Sequence, residues 1–468
     1  MSTLRQLLGL IQTSLATLEE TCASANVQIP DLNEPFHPTS EAFRADPAAA
    51  LAANTAAAAA LQLAAILTPP HVSLYHAVGG HYRSTAVRAC LESHVTEILR
   101  EAGPQGLHVN DIAAKNGQDP SKLGRFLRFL SVNHVYREVT PDVFANTRIS
   151  SLLDTLKPSA EIIADPEHKY DGTIGLPSLA GQHLDEAFKA SAYAWETLSD
   201  PRTSHSGDPA AAPFSRAFGT NDTVWEFYGR PEEKYRQRRF DTAMQGVQAL
   251  QSPDAIFDAY DWQDLAPGSV IVDVGGGVGT SAFPLSRKFP DLKVIIQDLP
   301  NVIEDAKKLW STKMPEAITS GSVEFEVHDF FTPQTQRAAS IFLLKLILHD
   351  WSDEYAAKIL KHLREAATPA TKLILVDTII SYTCRDPDAD ADLDRGIRAA
   401  PEPLLANFGA VSEMSYYGDM TMFTLHNGQE RTFYHLQRLL RETGWSLKRV
   451  RPSQRDGSFL QGIEAVPI

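Results

Sequence analysis

The stretch that most restricts how this chain can fold is Val270 to Pro300, VIVDVGGGVGTSAFPLSRKFPDLKVIIQDLP. Val270, Ile271, Val272 and Val274 form the short β-branched run of a strand buried on both faces. Gly275, Gly276, Gly277 and Gly279 follow at once, and a backbone without Cβ atoms can turn sharply and let a ligand approach. Ser281 to Lys288 reads as a helix and Lys293 to Gln297 as a second strand. Asp298 stands at that strand's carboxyl end, followed by Leu299, where a carboxylate accepts hydrogen bonds from two ribose hydroxyls. The expectation is a nucleotide-binding βαβ unit.

A dinucleotide fold is the first alternative, and two details oppose it. An acid, Asp273, lies inside the first strand, and the unit sits past the middle of the chain with no second nucleotide half after it. VDVGGGVGT with QDLP downstream instead resembles the S-adenosylmethionine (SAM) motif of class I methyltransferases, in particular the small-molecule O-methyltransferases of the caffeic-acid type. The resemblance implies SAM as cofactor, with S-adenosylhomocysteine as product, in a Rossmann-like doubly wound α/β domain.

A chain of 468 residues is expected to hold two or three domains. With 43% hydrophobic and 22% charged residues it can bury an ordinary core. Its net charge of -15 and the lack of a basic patch argue against nucleic acid as a partner. The apolar N-terminal stretches are short or alanine-rich, so neither a signal peptide nor a membrane span is expected. Cys22, Cys90 and Cys384 are scattered and fit a reducing, cytoplasmic setting.

Residues 1–70 are expected to form N-terminal dimerisation helices: Leu4, Leu7, Leu8, Ile11, Leu15 and Leu18 recur at helical spacing up to Ala25, and Pro47 to Leu67 is an alanine-dense helix after a polar connector. With no visible partner within the chain, these helices point to a homodimer. Residues 71–155 contain three helical patterns, the third over Ser121 to Asn133, and strand-like pieces at Val135–Glu138 and Val143–Asn146. That is a winged-helix pattern, which in the resembled family serves dimerisation and caps the substrate pocket. Residues 156–262 read as a helical bridge dense in aromatics, contributing Thr242, Trp225 and Phe227 to the substrate pocket, with His168 and His183 as polar candidates. Residues 263–468 would be the SAM-binding catalytic domain. After the opening unit it reads as helix Val302–Trp310, strands Val323–His328 and Ser340–Ile347, helix Asp353–Ala367, strand Lys372–Asp377, helix Arg431–Gly444 and strands near Trp445–Val450 and Ser458–Ala465.

The chemistry is expected in LLKLILHDWSDEYAAKIL. His349 leaves the end of a strand, and histidine's unperturbed pKa suits proton removal near neutrality. HDWSDE matches the family pattern, which implies that His349 is the general base for a phenol or enol oxygen. By the same resemblance Glu430 in LHNGQERT and Asp377 ending LILVD would hold His349, Asp377 replacing the family's usual glutamate with a side chain one methylene shorter. Lys345 would lie beside the cofactor, Asp329 would bond the adenine amino group and Phe330 would pack on the ring. No metal is required, and no His/Asp cluster in the sequence offers a site for one. Met414, Met420, Met422 and Phe423 are further pocket candidates, and the acidic Arg385 to Arg398 reads as a solvated insertion.

The expected function is methylation of a hydroxylated aromatic or polyketide-type small molecule. The alternative is a SAM-binding pericyclase of the same fold, in which Lys345 and His168 polarise a substrate carbonyl without methyl transfer. The segment DPEHKYDGTIGL resembles fungal enzymes of that kind.

Overall fold

The computed structural model describes residues 2–249, 251, 255–387, 399–452 and 460–468. The chain divides into two compact units, residues 1–195 with 214–251 and residues 196–213 with 252–468. The bridge read at 156–262 is shared between them.

In the first unit, helices Thr3–Ala25 and Pro47–Leu67 pack on each other, joining Leu18 and Cys22 to Ala49 and Ala52, with Phe43 between. This corrects the expectation that they lack a partner within the chain, since small alanines allow close helix contact. Helix Pro47–Leu67 is also long and apolar enough, by length and composition, to cross a bilayer, and it buries Ala49, Ala50, Ala52, Thr55, Ala58 and Ala59. Helices Gly80–Glu92, Val95–Ala102, Val109–Asn116 and Pro120–Val132 close over a small antiparallel sheet of β1 (Leu107–His108), β2 (Tyr136–Thr140) and β3 (Val143–Asn146), in the order β1-β3-β2. Ile98, Ile112, Leu127, Tyr136 and Phe144 form its core. The third expected helix starts at Pro120 because the Asp119 carboxylate accepts the Lys122 N–H at 2.8 Å and caps it. Helices Leu176–Gln182 and Lys234–Ala249 cross where two glycines meet: a Cβ on Gly175 would fall 2.2 Å from the Gly246 nitrogen.

The second unit is an α/β fold on a seven-stranded sheet. Its strands are β4 (Val270–Val274), β5 (Lys293–Asp298), β6 (Val323–Val327), β7 (Ile341–Lys345), β8 (Lys372–Asp377), β11 (Trp445–Arg451) and β12 (Gln461–Pro467), in the order β11-β12-β8-β7-β4-β5-β6. The short β9 (Ile379–Ile380) and β10 (Arg431–Thr432) pair separately, in parallel. Strands β4 to β8 run parallel, and β12 is antiparallel to both its neighbours. Alternate residues feed two cores. Val272, Val274, Phe342, Leu344, Leu373 and Leu375 face one side with Trp351, Phe433 and Trp445, while Ile271, Ile296, Leu343, Ile374 and Val376 face the other with Trp262 and Trp310. The strand order reverses between β4 and β7, and in such sheets ligands bind in the crevice beyond the carboxyl ends at that point.

Several boundaries differ from the sequence reading. Strand β7 stops at Lys345, short of Ile347 and Leu348, because Leu346 has φ 55° and turns the chain off the sheet. The helix expected from Arg431 begins at Phe433, since Arg431 and Thr432 pair as β10 and the Thr432 hydroxyl accepts the His435 N–H. Helix Glu413–His426 was not anticipated, its Met, Tyr and Thr residues giving no apolar period. Residues 388–398 of the acidic insertion, and Ser458 at the start of the last expected strand, lie outside the described residues.

Candidate functional site

The glycine turn after β4 is built against bulky neighbours. Gly275, Gly277 and Gly279 have φ of 68°, 59° and 83°, the left-handed region that side chains disfavour. A Cβ on Gly275 would fall 2.8 Å from Ile347 Cδ1, and one on Gly276 2.7 Å from Asp273 Cγ, whereas Gly277 faces open space. Asp298, ending β5, ties the turn from below: its Oδ2 accepts the Gly277 N–H at 2.8 Å and its Oδ1 the Leu299 N–H at 2.7 Å. Burial pushes the Asp298 carboxyl up, and these two N–H groups partly counter it.

Asp273 is buried, and its Oδ2 has no hydrogen-bond partner among the described residues. Burial lifts its pKa to about 7 against the pull of Lys345. Burial likewise lowers the Lys345 pKa, which Asp273 resists. An acid and a cation short of full partners, beside a turn with no room for side chains at Gly275, Gly276 and Gly279, suit a bound polar ligand carrying its own donors and charge. Asp329, beyond β6, is exposed, and its Oδ1 accepts the Phe331 N–H at 2.9 Å. Phe330 is half-buried in a ring cluster, its centroid 4.9 Å from Phe331 and 5.9 Å from Trp351.

His349 stands on a one-turn helix, Leu348–Asp350, directly after the Leu346 bend. Its Nδ1 lies 2.7 Å from Glu430 Oε1 and 3.9 Å from Asp377 Oδ1, and its Nε2 3.6 Å from Asp350 Oδ1. Burial alone would drive the imidazolium pKa down; Glu430, Asp350 and Asp377 outweigh it and push it up to about 10. Asp377, deeper in the site, has its carboxyl raised by burial. The parallel β9–β10 pairing, Ile379 opposite Arg431, brings Glu430 and Asp377 to the same end of the pair. The expectation that no His/Asp cluster offers a metal site needs correction: one donor atom from each of His349, Asp377 and Glu430 lies within 4.8 Å of the others. Sheet pairing, invisible in linear spacing, assembles these three.

Helix Glu413–His426 flanks the same turn, and a Cβ on Gly418 would be 3.8 Å from Glu430 Oε1. It carries Met414 and Met420, both exposed, and the half-buried Met422 and Phe423. The remaining candidates belong to the first unit. His168 is exposed, with its Nδ1 2.9 Å from Asp165 Oδ2. His183 Nδ1 lies 3.0 Å from the Leu179 carbonyl. The buried Thr242 hydroxyl donates to the Arg238 carbonyl one turn back at 3.0 Å. Phe227 is buried among Phe214 and Phe218, and Trp225 sits edge-on to Phe240. Sequence reading missed Arg431, Asp353 and Asp419. Arg431 and Asp353 bond around the His349 turn, and Asp419 Oδ1 accepts the Glu430 N–H at 2.8 Å.

A sheet of this order, with a glycine turn at the reversal and an acid closing the next strand, defines a SAM-binding methyltransferase fold. Residues 195–446 match the O-methyltransferase domain and residues 75–155 the O-methyltransferase dimerisation domain. The 4-O-methyltransferase 1 of Phanerochaete chrysosporium is 51% identical over 469 residues, covering 100% of this chain and 99% of that protein. An O-methyltransferase of Armillaria gallica is 41% identical over 475 residues, covering 100% of both. A solved structure described as a pericyclic reaction enzyme shares the fold with a TM-score of 0.64 at 15% identity, covering 98% of this chain and 100% of that one. The chain belongs to the O-methyltransferase family, in its fungal secondary-metabolism branch, and is a SAM-dependent O-methyltransferase.

Proposed function

We propose that the chain methylates a hydroxyl oxygen of an aromatic or polyketide-type small molecule, with His349 as the general base. The observation that carries this reading is the 2.7 Å contact between His349 Nδ1 and Glu430 Oε1. With Nδ1–H held by a carboxylate, the tautomer is set and Nε2 is the nitrogen free to take a proton from the substrate. The three carboxylates make the imidazole strongly basic, and a cation bound nearby would bring it back toward the neutral form needed to accept a proton. Asp377, at 3.9 Å, adds negative charge without a direct bond to the ring.

Bound SAM supplies a methyl group already activated on a sulfonium sulfur. The chain's own work is alignment, exclusion of water and proton removal. In this reading Asp273, Gly275, Gly276, Gly277 and Gly279 form the cradle, Asp298 and Leu299 take the ribose, Asp329 and Phe330 the adenine, and Lys345 sits beside the cofactor. Met420 and Met422, on the helix that flanks the His349 turn, would shape the substrate side of the site. The 51% identical relative is named a 4-O-methyltransferase, which favours a 4-position oxygen as acceptor. The pericyclase alternative with Lys345 and His168 gives the His349–Glu430 pair no task, and methyl transfer does.

We also infer a homodimer formed through the N-terminal region. It is supported by the matched dimerisation domain and by an exposed apolar run of Leu67 (65% exposed), Leu74 (66%), Tyr75 (77%), Val78 (64%) and Tyr82 (61%).

Incubating the protein with SAM and a panel of phenols, and following both masses, tests the function. A product heavier by one methyl group with matching S-adenosylhomocysteine is expected, and His349→Ala should lower turnover by about 10²- to 10⁴-fold while SAM affinity stays near normal. An isomerised product of unchanged mass with SAM undiminished would overturn the reading.

A further inference from the structure

The segment Gly428–Arg431 lies hard against the turn that carries His349. A Cβ on Gly428 would fall 2.3 Å from the His349 carbonyl oxygen and 2.5 Å from the Asp350 carbonyl carbon, so only glycine fits there without displacement. The Gln429 N–H donates to the same His349 oxygen at 2.8 Å. Two successive side chains then take hold of two different parts of the base. Glu430 grips the imidazole at Nδ1, while Arg431 turns away from the ring toward the backbone. Its Nη1 donates to the Leu348 carbonyl and its Nη2 to the Trp351 carbonyl, both at 2.8 Å, bracketing His349 and Asp350.

The guanidinium is itself fixed. Arg431 is only 4% exposed, and its Nε donates to Asp353 Oδ1 at 3.0 Å. Gln429 Nε2 donates to that same oxygen at 3.0 Å, and His435 Nε2 lies 2.6 Å from Asp353 Oδ2. A planar fork with donors at fixed angles can hold two carbonyls and a carboxylate at once, which a lysine ammonium at the end of a flexible stem does not. Leu348–Asp350 is a single turn of 3-10 helix just after the left-handed Leu346, with few bonds of its own to hold its register.

We propose that Arg431 is a positioning residue for methyl transfer: by gripping the carbonyls on either side of the His349 turn it sets where Nε2 meets the substrate oxygen. The proposal rests on the reading of His349 as general base. A misplacement of about 1 Å at a reacting group costs on the order of 100-fold in rate, and that is the scale of effect expected.

The test compares Arg431→Lys, Gly428→Ala, His349→Ala and the double variant Arg431→Lys/His349→Ala in the full chain, measuring kcat, KM, SAM affinity by calorimetry and thermal midpoint. Arg431→Lys should stay folded, melting below the parent as its buried bonds are lost, and bind SAM within about twofold, with kcat down by about 100-fold and KM little changed. Gly428→Ala, which displaces the turn sterically, should show the same split. Adding Arg431→Lys to His349→Ala should lower the residual rate no further, because Arg431 acts through His349. A kcat within threefold of the parent for Arg431→Lys, an additive loss in the double variant, SAM affinity falling in step with kcat, or failure of Arg431→Lys to fold would each overturn the proposal. If His349→Ala retained full turnover, the general-base reading would fail instead, and the two failures are told apart by that variant alone.

Discussion

Gly279→Ala puts a single methyl group where the structure leaves no room. The new Cβ would fall 2.5 Å from Ile296 Cδ1 and 2.7 Å from Trp310 Nε1. Trp310 is fully buried, stacked on Phe283 at a centroid distance of 3.9 Å, and its Nε1 donates to the Val278 carbonyl at 3.0 Å. The indole therefore cannot retreat without losing that bond. Overpacking of this kind costs about 1–3 kcal/mol. The left-handed φ of 83° adds about 1–2 kcal/mol for any residue with a Cβ. Gly277→Ala is the internal control, since its φ of 59° carries the same backbone penalty while its Cβ would meet nothing within 4 Å. Gly279→Ala should therefore lie below Gly277→Ala in stability by about 1–3 kcal/mol. In thermal denaturation of the unliganded chain that corresponds to about 2–4 °C of midpoint for each kcal/mol. Equal midpoints for the two variants would refute the claim that contact with Trp310 and Ile296, rather than backbone conformation, makes glycine necessary at 279.

Three further variants have expected outcomes. Glu430→Gln removes the carboxylate bonded to His349, so the rising limb of the kcat/KM pH profile should move to lower pH while the plateau falls by at least ~10²-fold; an unmoved limb would show that Glu430 does not set the His349 pKa. The same variant carries a stability sign. His349 is pushed up from 6.5 to about 10 in the fold, so its contribution is fully present below about pH 6.5 and is lost as pH rises toward 10, and denaturation across that window should be flatter for Glu430→Gln than for the parent. Asp298→Ala releases the Gly277 and Leu299 N–H groups, and SAM affinity measured by calorimetry should weaken by about 10- to 100-fold, a change under twofold refuting its place in the cradle. Leu74→Glu with Tyr75→Glu charges the most exposed part of the apolar run, and light scattering should find a monomer where the parent is a dimer; a parent monomer, or an intact dimer in the variant, would defeat that interface.

Local chemistry made much of this chain readable. The β-branched run, the glycines and Asp298 dictate strand, turn, helix and strand within thirty-one residues, because side-chain period and backbone freedom act over a few positions. Helix Pro47–Leu67 and strand Lys372–Asp377 have the bounds their patterns imply. The helix Glu413–His426 was illegible for the opposite reason, since one side of it lies against the His349 turn and its sequence shows no amphipathic period.

The sequence by itself determined the class of sheet, the glycine turn and the presence of a histidine at a strand end, each a matter of spacing along the chain. Tertiary structure alone decided how those parts serve one another. Pairing of Ile379 with Arg431 sets Glu430 at 2.7 Å from His349 and leaves the shorter Asp377 at 3.9 Å, a choice between two acids that their separation in sequence cannot make. The same pairing turns Arg431 onto the carbonyls of the His349 turn, and the mutual packing of the two N-terminal helices decides which of their own apolar residues stay exposed. Periodicity is a property of neighbours along the chain; the meeting of His349 with the Glu430 carboxylate depends on sheet register across about eighty residues, which only the folded chain fixes.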